Sequence, residues 1–253
     1  MRNASLELFV AGAGPAYTNR PGATGAAYLV RHGSTSILLD LGQGSLPRVA
    51  GELDPDELEA VVISHLHPDH FIDLVALRHY LRYGLDPPRR LRVFAPAGLA
   101  DRLDAVHAEH GFTAEALDCA NLAEGPVVLG DLHVEARLVT HTAESYAFRV
   151  ATRGADHGLV YSGDCGRAAD LVPLIHPGDT LLCEVSFGPG PVPEGVNHLD
   201  GPAVGELAAT AGAGRVLLTH LQMGYDEAAT IESVGIRFDG PVELVEPGSR
   251  FTI

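Results

Sequence analysis

Two hydrophobic rhythms alternate along this chain. SLELFVAGAG, GAAYLVRHG and STSILLDLG open it as three strand-like runs, with Gly33-Ser34 as the turn between the second and third. After the apolar stretch LEAVVI the spacing changes: FIDLVALRHYLRYGL repeats its apolar positions at helical intervals. LRVFAPAG then reads as strand and turn, and LADRLDAVHAEHG as a helix stopped by Gly111. PVVLGDLHVEARLV, with Gly130-Asp131 at its centre, and SYAFRVATRGADHGLVYSGD read as hairpins. RAADLVPLI and GPAVGELAATAG supply helices, and RVLLTH and PVELVEPGSRFTI late strands. Residues 187–202, FGPGPVPEGVNHLDGP, carry too much proline and glycine for a regular element and must form a loop. The pattern is α/β in two similar halves. No linker, repeat or low-complexity tract divides it, so a single domain over residues 1–253 is expected.

Composition agrees with an enzyme-sized globular unit: 253 residues, 46% hydrophobic and 20% charged. No apolar run exceeds a short strand, which argues against a transmembrane span. The opening MRNASLELFVAGAG lacks the basic head, apolar centre and small-residue cleavage site of a leader, so a cytoplasmic location is expected. Cys119, Cys165 and Cys183 are odd in number and form no CxxC, which suits reduced thiols. Cys165 stands next to Asp164, but burial as a small apolar residue is the expected role. The net charge is −16 and every basic residue is arginine. Such a chain lacks the basic footprint that long nucleic acids require. RHYLRYGLDPPRRLRV, with Arg78, Arg82, Arg89, Arg90 and Arg92, is the one basic concentration, read as a solvated helix face and turn.

The candidate chemistry lies in SHLHPDHF, residues 64–71, where His65, His67, Asp69 and His70 follow directly on a strand. Neutral imidazole and carboxylate are the ligands that hold Zn²⁺ and similar ions, and four donors on one loop can serve two ions. Two coordination spheres need further donors. His141, Asp164 and His220 each stand just past a β-type run, where loops gather at one sheet edge. For Asp164 a turn-capping role after Gly163 competes with ligation. His79, His107 and His110 fall within helical stretches and read as ordinary helix residues.

The ordered set HLHPDH, LVTHTAESYAFRV, LVYSGDCG and VLLTHL resembles the metallo-β-lactamase superfamily of hydrolases. YSGDCG followed by DTLLCEVSF and His198 resembles its tRNase Z branch, and the overall pattern looks most like bacterial cyclic-nucleotide phosphodiesterases of that branch. The resemblance implies an αββα sandwich, the metallo-β-lactamase fold, with a dinuclear metal site at one edge of its two sheets. It puts His65, His67 and His141 on one ion, Asp69, His70 and His220 on the other, and Asp164 between them. Zinc is the first expectation, with manganese or iron as alternatives. Two dications roughly 3.5–4 Å apart can lower the pKa of a shared water and clamp the entering and leaving oxygens of a phosphoryl group.

In that scheme Asp69 is also a proton acceptor, His198 assists the leaving oxygen or is only a surface histidine of its loop, and Asp40 in LLDLGQG orders loops through hydrogen bonds. Two features depart from tRNase Z. His198 is followed by Leu-Asp where Ser-Thr is typical, and the interval from His141 to Asp164 is filled by predicted strands, leaving no room for a tRNA-gripping arm. The expected function is therefore a phosphodiesterase acting on small phosphodiesters such as cyclic nucleotides. Hydrolysis of another small ester, lactone or thioester, or a tRNase Z-like ribonuclease activity, is the enzymatic alternative. A metal- or nucleotide-binding regulator is the non-enzymatic one. By analogy with relatives a homodimer is expected.

Overall fold

The computed structural model describes residues 5–253; the first four, which open the stretch read for a leader, lie outside the described residues. Among the described residues, two seven-stranded sheets lie at the centre. The first contains β1 (Glu7–Gly12), β2 (Ala27–His32), β3 (Thr35–Leu39), β4 (Ala60–Val62), β5 (Leu91–Ala95) and β6 (Leu117–Asn121). The second contains β7 (Gly125–Leu129), β8 (Leu132–Leu138), β9 (Tyr146–Thr152), β10 (Leu159–Tyr161), β11 (Thr180–Glu184), β12 (Arg215–Thr219) and β13 (Val242–Leu244). The last strand, β14 (Arg250–Thr252), returns to the first sheet and pairs with β1. Each sheet begins as an antiparallel meander and continues as parallel strands. This is the two-half rhythm of the sequence realised in space.

Parallel strands covered on both faces need apolar residues at every position, which explains why SILL, AVV and VLL carry no polar alternation. Inward residues such as Leu8, Val10, Ile37, Val134 and Leu182 form the core between the sheets. The alternate residues of the first sheet, Phe9, Leu38 and Val61 among them, pack outward against α1 (Leu46–Glu52), α2 (Pro68–Phe71), α3 (Leu74–His79) and α4 (Leu99–His107). Those of the second, including Val160, Leu181 and Val216, meet α5 (Gly201–Ala211) and α6 (Glu227–Gly235). The layers are thus αββα. Asp200 and Asp226 start α5 and α6 by accepting from Ala203 N and Ala229 N, and Gly212 ends α5 at φ 70°. No helix among the described residues is long and apolar enough to cross a membrane.

Three local expectations are corrected. RAADLVPLI forms two 3-10 turns, Ala168–Asp170 and Val172–Leu174, because Pro173 can neither donate to an α-helical ladder nor fit against its preceding turn. The helix of LADRLDAVHAEHG stops at Ala108, which takes φ 58°, before Gly111 is reached. Arg78 is not solvated: it is 2% exposed, its Nε donates to Phe112 O at 2.8 Å, and its guanidinium lies 3.9 Å from the Phe112 ring centre while pairing with Glu115. Arg89 and Arg92 pair with Asp56 and Glu59, so much of the basic run is neutralised locally.

The second sheet holds a buried ion pair that neither periodicity nor spacing indicates. Arg149 on β9 donates from Nε and Nη2 to the two oxygens of Asp179 at 2.7 and 3.0 Å. Asp179 also accepts from Gly158 N at 2.7 Å and His176 N at 2.9 Å, which ties three segments together. Removing its carboxylate strands a buried guanidinium and two backbone donors. Asp179→Ala is expected to lower unfolding stability by about 3–5 kcal/mol in urea titration, the usual range for breaking a buried pair from one side. A change near zero would show that water reaches the site.

Candidate metal centre

The ends of β4, β8, β10 and β12 open at one edge of the sandwich, and each delivers candidate ligands there. After β4 the chain runs through Ser64, His65 and Leu66 to α2, where Pro68 occupies the first turn and needs no donor. His67 caps that helix in extended conformation, and Asp69 and His70 sit within it. His141, Asp164 and His220 come from the second sheet. Gly42 supports the loop from below: a Cβ there would lie 1.8 Å from Asp69 O, so any side chain would expel the α2 turn.

All seven side chains meet. His65 Nε2 and His141 Nε2 approach His67 Nδ1 at 3.0 and 3.2 Å. His220 Nε2 lies 3.2 Å and His70 Nε2 3.6 Å from Asp69 Oδ2. Asp164 stands between the two groups with its oxygens divided. Its Oδ2 faces His65 and His141 at 3.7 and 3.6 Å, and its Oδ1 faces His70 and His220 at 3.4 and 3.5 Å. Among the described residues the donors form three overlapping groups: His65, His67 and His141 with Asp164; Asp69 with His70 and His220; and Asp164 and His220 with His198, which stands at the rim of the second.

The outer nitrogens explain why the inner ones converge. His65 Nδ1 lies 3.1 Å from Ser64 Oγ, whose own proton goes to Asp40 Oδ2 at 2.7 Å. His70 Nδ1 donates to Asp40 Oδ2 at 2.7 Å, His141 Nδ1 donates to Asn197 O at 2.8 Å, and His220 Nδ1 lies 3.0 Å from Ser186 Oγ. A neutral imidazole that donates outward from Nδ1 presents a lone pair at Nε2. His70 Nε2 is buried and has no hydrogen-bond partner. Converging lone pairs, an orphaned buried nitrogen and two carboxylates are what a divalent cation satisfies, so the donor set fits metal.

Electrostatics point the same way. Burial, reinforced by the neighbouring histidines, pushes His65 well below the ordinary imidazole range. Burial would also lower His70, but the Asp164 and Asp40 carboxylates outweigh it and raise His70 well above that range. For Asp164 burial opposes ionisation, yet His220 and His70 hold it well below the usual carboxylate range. Positive charge is thus favoured on the His70 and His220 side and disfavoured on His65 and His67, which burial holds neutral.

Asp40 is a loop-ordering residue, as read from the sequence. It accepts from Ser64 N at 2.6 Å, Ser64 Oγ, His70 Nδ1 and Tyr161 OH. Its counterpart in the second sheet was not singled out. Glu184, inside the segment DTLLCEVSF, is fully buried and accepts from Cys165 N at 2.9 Å, Ser186 N at 3.1 Å and His198 Nδ1 at 2.8 Å. His198 is thus anchored and not a free surface histidine. Its ring lies 4.8 Å from that of His141 and 6.0 Å from that of His220. Burial would lower its pKa, but the hydrogen bond to Glu184 wins and raises it. Only the acidic residue at a strand end could have signalled Glu184 in advance. Cys165 is buried with its thiol pushed up to about 12; its Sγ donates to Arg167 O at 3.3 Å and it is in none of the donor groups. His79 and His107 pack with Phe112, and His110 is exposed, none of them in the clusters.

Comparison with known proteins agrees with this architecture. A family profile described as "Beta-lactamase superfamily domain" matches residues 36–221. An uncharacterised protein of Mycobacterium leprae is 34% identical over 242 residues, covering 92% of this chain and 84% of the relative. The probable metallo-hydrolase YhfI of Bacillus subtilis is 26% identical over 227 residues, covering 88% and 90% of the two chains. The crystal structure of YhfI superposes with a TM-score of 0.87 at 21% identity over 98% of this chain and 99% of that one. Human tRNase Z, short form, gives 0.72 at 20% identity over 98% and 99%. With the profile spanning most of the chain and one-third identity extending along nearly all of it, this protein belongs to the metallo-β-lactamase superfamily of hydrolases.

Proposed function

We propose that residues 1–253 act as one cytoplasmic domain, a dinuclear metal-dependent phosphodiesterase whose substrates are small phosphodiesters, with cyclic nucleotides as the favoured class. The observation that carries the two-ion reading is the division of Asp164, one oxygen toward each cluster. His65, His67 and His141 would hold one ion, Asp69, His70 and His220 the other, with Asp164 shared. Zinc suits this set of imidazoles and carboxylates. When bound, such ions supply Lewis-acid polarisation of a phosphoryl group and acidify water.

The protein's own groups then have distinct tasks. Asp69, beside His70 and His220, would accept the proton of the nucleophilic water. Glu184 holds His198 Nδ1, which leaves Nε2 as the nitrogen from which a proton would pass to a departing alkoxide. Such a donor matters for an alkoxide leaving group, as in a cyclic nucleotide, and little for an acidic phenol. Between His141 and Asp164 the chain is occupied by β9, β10 and short turns, and the net charge is −16. Both features favour a small substrate over a folded RNA.

Three outcomes test this reading. Purified protein should contain close to two ions per chain by elemental analysis, and Asp164→Ala should lose metal and turnover while the apo-protein still folds; a fully active, metal-free wild type would overturn it. On a panel of cAMP, bis-p-nitrophenyl phosphate, a cephalosporin, an acyl lactone and precursor tRNA, turnover should be confined to the first two. Efficient tRNA 3′-end cleavage at moderate salt, or preference for the lactone, would redirect the assignment. His198→Ala should keep both ions yet slow cAMP hydrolysis by about 10²–10⁴-fold, the range of general acid catalysis, with a much smaller loss on bis-p-nitrophenyl phosphate. Equal losses would make His198 a binding residue.

A further inference from the structure

Two tyrosines lie between the sheets directly behind the centre, their rings 4.8 Å apart, and each is at most 1% exposed. They bond across the sandwich in opposite directions. Tyr161, on β10 of the second sheet, donates to Asp40 Oδ2 of the first at 2.7 Å, and the same oxygen receives His70 Nδ1. Tyr28, on β2 of the first sheet, lies 2.5 Å from Thr219 Oγ1 of the second. Thr219 Oγ1 donates to Ala13 O at 3.4 Å, and that carbonyl also receives His220 N at 3.0 Å. Burial raises both phenol pKa values, so each hydroxyl stays protonated.

The two chains of bonds end on unusual backbone. Asp40 and His220 have φ of 57° and 59°, and Ala108 is the one other non-glycine residue with positive φ among the described residues. Such conformations cost energy and persist where surrounding contacts over-determine them. Both chains bear directly on the same half of the centre, because His70 and His220 group with Asp69. In the other half His141 uses Asn197 O, while His65 uses Ser64 Oγ, which itself donates to Asp40 Oδ2, so the Tyr161 chain reaches His65 at one further remove and the Tyr28 chain does not.

We propose that Tyr28 and Tyr161 form a reciprocal cross-sheet brace of positioning residues that fixes His220 and His70 and so sets the ion affinity of the Asp69–His70–His220 half. The proposal rests on the two-ion reading of the centre. The brace does not touch substrate; it holds the distance between ligands contributed by different sheets. Its loss loosens chiefly the ion of that half; through Asp40 and Ser64 the Tyr161 arm carries a smaller effect to His65.

Tyr28→Phe and Tyr161→Phe each delete one hydroxyl and keep the ring. Stepwise Zn²⁺ affinities, measured by competition with a chromophoric chelator, should show a loss of about 10–100-fold at one ion, as for other residues that support ligands, with the second unchanged in Tyr28→Phe and weakened less than the first in Tyr161→Phe. Combined with His220→Ala, which removes the braced half directly, either change should lose little more; combined with His67→Ala it should lose its full share. Urea unfolding of the apo-proteins separates positioning from packing. Two unchanged affinities in both variants, or equal weakening of both ions alongside a comparable loss of apo stability, would overturn the brace. A wild type that binds fewer than two ions would instead overturn the dinuclear reading and the brace with it.

Discussion

The centre depends on how buried carboxylates are satisfied without being spent on metal. Asp40 collects two donors from Ser64, one from His70 and one from Tyr161, and these bonds orient imidazoles whose inner nitrogens would otherwise rotate freely. An ionised carboxylate in an apolar interior is costly unless hydrogen-bonded throughout. That cost is what makes the arrangement specific: any rotation of His70 would leave Asp40 short of a donor.

Glu184 plays the corresponding part in the second sheet. It sits at the end of β11, gathers the backbone of Cys165 and Ser186, and reaches His198. The loop of residues 187–200 has no regular structure of its own, so this carboxylate and the bond from Asn197 Nδ2 to His141 O at 3.1 Å hold it against the centre. Each sheet thus contributes candidate ligands at its strand ends and one buried carboxylate that holds the adjoining loops. The two contributions are joined by Asp164 in front and by the tyrosines behind.

The acidic surface and the centre have different electrostatic characters. The chain carries −16 overall, and within the cluster at the sheet edge the carboxylates raise the pKa of His70 and His220 while burial lowers that of His65 and His67. A small anionic ester brought against bound cations needs no basic surface, whereas a long polyanion does.

Much of this protein was legible from neighbours along the chain. Hydrophobic rhythm reports local burial, so the strands, most helices and the two-half layout could be read directly. HLHPDH places four donors on one loop and is recognisable without any fold, and the strand-end positions of His141, Asp164 and His220 followed from the same rhythm. What tertiary structure alone decided lies between residues far apart in sequence. Tyr161 meets Asp40 across 121 positions and Tyr28 meets Thr219 across 191, and no periodicity encodes such pairs. Arg78 looked like part of a solvated face because a helix repeat cannot show that Phe112 and Glu115 will cover it. Glu184, Arg149 and Asp179 escaped for the same reason. A buried polar group is defined by its partners, and partners are chosen by the packing of the two sheets.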